Sequence, residues 1–397
     1  MARFLFLAVF WWLSAGGVAV AGDRPCAEPG GGPSFTVTVP AYPFGVVATS
    51  DGCWVFVSML KDSTSPAGTA VLHRAHGTFT LERVVPYGGL GMALSHDEKV
   101  LVVAEHPHVL FLDTRRLIGG GGDPLLGAIG SDDPAFVPGS FYVSLTRDDR
   151  LLFVSDENAA RITVIDFSRA RASGYSPRSV IGRIPVGWRP IAVTLSKDDR
   201  YLFTTSQTAP PEAAWPARCV LERAGDANGP PVLPEGQVSV IDVERAVKYP
   251  ERSVVSTVPA GCSPVRLVLS PDGATAWVSA RSSNAVIAFD ARLLVTDPVH
   301  ARIGVLPVGK SPVGLAISKD GGRIWVANSG RYRDDQNEKQ SLTVIGTGSF
   351  KVEGTIPAGA FPRELYFLGD GRTLLVTNFL SRTVQVEDTS HIRLIPP

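Results

Sequence analysis

The sequence has no net charge: 38 Lys+Arg balance 38 Asp+Glu. A neutral chain offers no electrostatic footprint for nucleic acid or an anionic membrane surface, so neither is expected as a partner. After residue 21 no apolar run approaches the roughly 20 residues that a membrane-spanning helix needs. Long amphipathic periodicity is scarce, which argues against a helical bundle. None of the four cysteines falls in a CxxC pair, so zinc-knuckle and dithiol redox patterns are absent. G-x-S-x-G, H-E-x-x-H and a G-x-G-x-x-G leading into a helix are absent too. With them go the local signatures of a nucleophile elbow, a zincin site and a dinucleotide fold.

What is present begins with MARFLFLAVFWWLSAGGVAVAG. Arg3 precedes an apolar run from Phe4 to Leu13, and small residues lead to Ala19-Val20-Ala21. The pattern is that of a secretory signal peptide cut after Ala21, with no cysteine at the cut to take a lipid. Residues 1–21 are therefore expected to be removed. Residues 22–397 are expected to form one exported protein, periplasmic or secreted, with no membrane span after cleavage.

The remaining chain is a sevenfold repeat. Apolar strands are followed by TSDG, SHDE, TRDD, SKDD, SPDG, SKDG and LGDG, whose aspartates are Asp51, Asp97, Asp148, Asp198, Asp272, Asp320 and Asp370. Their spacings are 46, 51, 50, 74, 48 and 50 residues. Asp and Gly suit tight hairpin turns. A strand follows each turn, as in RLLFVSD and RIWVAN, and further strands such as VSVID and AVIAFD complete four per unit. Four short antiparallel strands recurring at this period predict an all-β, seven-bladed β-propeller of four-stranded antiparallel blades. The 74-residue spacing is explained by an insertion at about 208–236, between the second and third strands of blade 4. That segment is rich in Pro and Ala and lacks strand alternation. GRYRDDQNEKQ (330–340) fills the same slot in blade 6. Either FTVTV (35–39) or HIRLI (391–395) could supply the outer strand that closes the ring.

The units PVGKSPVGLAISKDGGRIWVANSG and PAGAFPRELYFLGDGRTLLVTNF resemble YVTN-type β-propeller repeats, with Leu375-Val376-Thr377-Asn378 nearly reproducing the tetrapeptide. The resemblance covers essentially the whole mature chain and is strongest in blades 4 to 7. It implies the seven-bladed fold, which hosts binding modules, lactone hydrolases and companions of redox enzymes.

GVLPVGKS (304–311) satisfies the phosphate-binding pattern G-x-x-x-x-G-K-[ST]. Yet the slot P-[VA]-G-x-x-P recurs at 185–190, 259–264, 307–312 and 357–362, and Pro312 opens a strand where a phosphate site needs a helix. The match is the linker between blades, and ATP is not expected.

Linkers between blades and loops between second and third strands share one face, the top, where ligand-binding residues are expected. Trp188, Arg189, Lys310 and Arg331, with Asn328 and Asn378, are candidate ligand contacts there. The position eight residues after each turn aspartate holds Met59, Glu105, Asp156, Ser206, Ala280, Asn328 and Asn378. Glu105, Asp156, Asn328 and Asn378 are hard oxygen donors suited to Ca²⁺ or Mg²⁺, so a divalent cation is the one cofactor the residues suggest. Glu105, Asp156, His106 and His108 are the candidate acid–base groups. His73 and His76 map to the bottom.

An even cysteine count in an exported chain favours two disulfides. Cys219 and Cys262 both map to the top of neighbouring blades, and Cys26 and Cys53 near the bottom, so the pairs 219–262 and 26–53 are expected. The expected function is an exported, non-catalytic binding or scaffold protein, a monomer, recognising a protein, peptide or envelope glycan on its top face. The alternative is a lactonase-like hydrolase using top-face carboxylates, with or without a divalent metal.

Overall fold

The structure is a computed structural model that describes residues 34–61, 63–130, 140–220, 231–330 and 340–396. Seven four-stranded antiparallel sheets are each built from strands that follow one another in sequence, with two exceptions: the ring's seam, and blade 4, where an inserted ribbon separates the second and third strands. The inner strands are Tyr42–Ala48, Met92–Leu94, Ser140–Leu145, Trp188–Leu195, Pro264–Leu269, Pro312–Ile317 and Pro362–Phe367. Each touches the next, and Pro362–Phe367 touches Tyr42–Ala48, so the ring is closed.

The seam is made by the N-terminal candidate. Phe35–Thr38 pairs antiparallel with Thr383–Asp388, completing blade 7 from both ends of the chain. Val37 and Val39 are buried between blades 7 and 1 with Val55, Val57 and Val384. The C-terminal candidate lies elsewhere: Ile395 bridges Thr355 on the outer strand of blade 6, and Ile392 and Leu394 pack on the blade 6–7 core.

Among the described residues the apolar core divides into seven clusters, one at each blade interface. Both faces of every sheet are therefore buried. This is why the strands read as near-continuous apolar runs rather than alternating ones. In blades 2 to 5, short helices cross from the third strand to the outer one. The aspartate that ends the third strand starts three of them: Asp113, Asp166 and Asp242 cap the amides of Arg116, Arg169 and Arg245. Each aspartate is a favoured helix N-cap residue.

The bottom turns share one hydrogen-bond network. In six of the seven a Ser or Thr hydroxyl two residues earlier donates to the turn aspartate, from Thr49, Ser95, Thr146, Ser196, Ser270 and Ser318 at 2.5–2.7 Å. The residue after each aspartate has positive φ, and in blades 2, 3 and 4 that residue is Glu98, Asp149 or Asp199 rather than glycine. The hydroxyls of Thr146, Ser196, Ser270 and Ser318, and then the amides two residues on, hold Asp148, Asp198, Asp272 and Asp320 below the usual carboxylate range. Burial pushes Asp97 up, but Arg171, Ser95 and the Lys99 amide outweigh it, and its carboxyl is held well below that range.

A depressed folded-state pKa contributes stability that is complete above the unfolded value, about 4, and is lost as pH falls through the folded one. Burial raises the carboxyl groups of Asp156, Glu364 and Glu387, whose cost is relieved in acid, but they are fewer. Urea midpoints are therefore expected to hold from neutrality to about pH 5 and to fall steeply below about pH 4. A midpoint unchanged at pH 3 would contradict this account of the turns.

The top of blade 4 carries the expected insertion. It is not wholly irregular: Ala217–Val220 pairs with Val232–Pro234 as a two-stranded ribbon. Cys219, on its first strand, is bonded to Cys262 in the linker to blade 5, with Cα atoms 5.4 Å apart. Cys53 is disulfide-bonded, while its expected partner Cys26 lies outside the described residues.

Candidate ligand-binding site

The second strand of each blade fixes what reaches the top. Counted from the turn aspartate, position seven holds Ser58, Ser155, Thr205, Ser279 and Thr377 in five blades. Each hydroxyl donates to a carbonyl of the next blade: Leu90, Ile191, Val265, Val313 and Phe44 respectively. Blade 6 has Ala327 there, and Gly314 closes the gap instead: a Cβ on it would stand 2.3 Å from the Arg363 carbonyl oxygen. Thr377 of the LVTN stretch is thus a cross-link between blades 7 and 1.

Position eight points into the blade stack in every blade but the second, where Glu105 is partly exposed. Asn328 donates to Ser341 and Thr343, and Asn378 to Thr383 and Gln385, all in their own blades. Asp156 is 4% exposed and accepts from Thr163 and Arg161. Burial raises its carboxyl pKa against these partners. It lines a separate cavity of only about 30 Å³. Position eight also explains the linker glycine of PVGKSP, since a Cβ on Gly309 would lie 2.4 Å from Asn328 Cγ. The P-loop match is therefore a packing motif. Ser311, like Arg189, Ser263 and Phe361 in the sister linkers, takes a left-handed conformation with φ of 51–58°.

Position nine, one residue further, turns into the ring's mouth in every blade but the second, whose residue is His106. Leu60, Glu157, Gln207, Arg281, Ser329 and Phe379 line a cavity of about 510 Å³, within the range of small-molecule sites. Inner-strand side chains form its floor. The cavity has two unlike sides. Phe44, Phe141, Phe361 and Phe379 make an aromatic wall, with ring centroids 5.5 Å apart for Phe44–Phe141 and 5.4 Å for Phe361–Phe379. Arg363 lies 3.8 Å from the Phe44 ring centroid and about equally far from Phe361 and Phe379, at 5.4 and 5.5 Å. Across the mouth runs a polar chain: Arg281 donates to Gln207 at 2.7 Å, and Gln207 donates to Glu157 at 2.9 Å. Arg189 is exposed at the same rim.

Below, the channel is crossed by a buried ion pair. Arg266 of blade 5 donates through Nε and Nη2 to Glu364 of blade 7 at 3.3 and 2.7 Å, and the Tyr142 hydroxyl of blade 3 donates to the same oxygen at 2.8 Å. The Arg266 guanidinium also stacks 3.8 Å from the centroid of the Tyr142 ring.

Of the residues expected from sequence, Arg189 alone lines this cavity. Trp188 and Lys310 are exposed but outside its lining, and Arg331 lies outside the described residues. Asn328 and Asn378 are within their blades. Glu105 and His108 face each other at 3.6 Å, and His106 is exposed; neither they nor Asp156 reach the central cavity. Among the described residues no three His, Cys, Asp or Glu side chains gather as a metal site; Glu105, Asp156, Asn328 and Asn378 stand on four different blades. Among the same residues, no helix is long and apolar enough to cross a membrane.

Solved structures share the architecture, and two of them serve as examples. The chain is similar to Kuenenia stuttgartiensis hydrazine synthase, at 16% identity and a TM-score of 0.62, over 91% of this chain and 98% of that one. It is also similar to the Cps50 (Swd1) β-propeller domain of Myceliophteria thermophila, at 10% identity and a TM-score of 0.62, over 90% and 99%. Identities this low show the fold alone. No protein-family model and no curated protein matches the chain.

Proposed function

We propose that this chain is an exported recognition protein that binds its ligand in the central cavity of the top face. The carrying observation is the composition of the mouth. A rigid ring presents an aromatic wall opposite a hydrogen-bonded polar edge around about 510 Å³. Preformed concave sites with an apolar body and a few placed polar groups are how folds of this kind hold small ligands or one residue of a larger partner. The signal-like N-terminal sequence and the Cys219–Cys262 bond fit an exporting pathway. The YVTN-type repeat resemblance fits a binding role as well, since that fold is used widely for recognition.

Ala360 is exposed on the cavity's edge and gives a clean test. Thermal melts are run with panels of peptides, envelope glycans and small organic acids, on wild type and Ala360→Trp. A true ligand at 100 times its Kd stabilises by about 2.7 kcal/mol. The expected result is a rise in wild type that the filled variant lacks. An equal rise in both places the site elsewhere and refutes the proposal. Turnover of a lactone panel, abolished by Glu157→Gln, favours the hydrolase alternative; melts that fall with EDTA support a bound divalent cation.

A further inference from the structure

We infer that the ligand of this cavity is an aromatic carboxylate, with its ring on the Phe361–Phe379 side and its carboxylate at Arg189. The inference rests on the recognition reading above and narrows it to a chemical class.

The aromatic side suits a flat apolar body. Its rings come from blades 7, 1 and 3 and meet edge to face, the arrangement that aromatic clusters favour. Such a cluster could also hold a cation, but the protein supplies its own: Arg363 already occupies the space against Phe44, Phe361 and Phe379. A second cation would meet that guanidinium at close range. A ring stacking beside it would not.

On the opposite side Arg189 is the exposed charge at the rim. Glu157, the one carboxylate of the described lining, is engaged by Gln207, which is itself fixed by Arg281. Arg189 is exposed and makes no hydrogen bond or ion pair among the described residues. Its guanidinium can therefore pair with a carboxylate without breaking a native contact, and a charged hydrogen bond of that kind is among the strong ones. The left-handed conformation at residue 189 recurs in four linkers, so the backbone is scaffold and the arginine is this linker's own addition.

The source of such a group is either a free small acid or the C-terminal aromatic residue of a peptide, and one calorimetric experiment separates them. N-acetyl-phenylalanine and a hexapeptide ending in Phe are titrated, each as free acid and as amide, into wild type, Arg189→Gln and Phe379→Leu. The expected result is that an acid binds at least about tenfold more tightly than its amide. Arg189→Gln should remove that difference while leaving the amide unchanged, and Phe379→Leu should weaken both. Binding by the peptide acid points to a protein terminus; binding by the small acid alone points to a free metabolite. Equal affinity of acid and amide, no binding by any probe, or an acid preference untouched by Arg189→Gln would overturn the inference. If these fail while Ala360→Trp still abolishes a melt shift with another ligand class, the recognition reading stands and only the ligand chemistry falls.

Discussion

Glu364→Ala is expected to cost about 3–5 kcal/mol of stability, because it strands a buried guanidinium. Arg266 has a side chain only 8% exposed, and two of its nitrogens donate to Glu364. Its remaining Nη1 is buried with no hydrogen-bond partner among the described residues, so it has no second acceptor to turn to. Tyr142 loses its hydroxyl acceptor in the same variant. Because the pair joins blades 5 and 7 and is braced by blade 3, the loss falls on the whole ring rather than on one blade. Burial pushes the Glu364 carboxyl pKa up, and Arg266 opposes that shift. Replacing both members, as Arg266→Met with Glu364→Leu, should recover most of the loss, since an apolar pair has no charge to desolvate. Urea unfolding at neutral pH measures all three proteins. A loss below about 1 kcal/mol in Glu364→Ala, the value of an exposed pair, would contradict the role given to this plug.

Breaking the Cys219–Cys262 bond is the second large expectation. The bond joins residues 43 apart and ties the blade 4 ribbon to the next linker. Chain-entropy reasoning for a loop of that size puts its contribution at up to about 4 kcal/mol, within the usual range of 2–4. Cys219 is also buried, at 2% exposure, so the serine variant adds a small packing loss. The double Cys219→Ser, Cys262→Ser variant should melt lower and exchange its backbone amides faster across 208–236. The seven apolar interfaces should keep the blades themselves folded. Unchanged melting together with unchanged exchange in that segment would show that the bond constrains nothing.

The repeat was plain in the sequence because its signals are local. The Ser/Thr-x-Asp turn and the strand after it sit within ten residues of each other, and each part has a single physical job. Ring closure was not local. FTVT and HIRLI both look like strands, and only the fit of Val37 and Val39 into the blade 7–1 core separates them.

The cavity lining lies one residue past the position expected from sequence. Position eight ends the strand, and strand ends on the top face are where binding groups gather. In a propeller, however, both faces of a blade are covered by its neighbours. A residue still paired in the ladder, such as Asn328 or Asn378, is therefore committed to the stack. The residue after it is the first free to face the axis. A shift of one residue changes the face entirely, and here it separates the donor set Glu105, Asp156, Asn328 and Asn378 from the cavity residues Glu157, Gln207, Arg281 and Phe379. The plug had a signal that could have been read. Arg266 in PVRLVLS and Glu364 in PRELYFL are charges inside otherwise buried inner strands. Such residues need a partner, and opposite signs at equivalent positions of two blades point across the channel.

The central claim is that the top mouth of the ring is the recognition surface. It is tested most directly by hydrogen exchange with and without a ligand that raises the melting temperature. The account predicts slowed exchange around residues 60, 157, 207, 281, 329, 360–363 and 379–380, the segments that line the cavity. Protection confined to the bottom turns at Asp51 through Asp370, or to the outer strand edges, with the mouth unchanged, would contradict it.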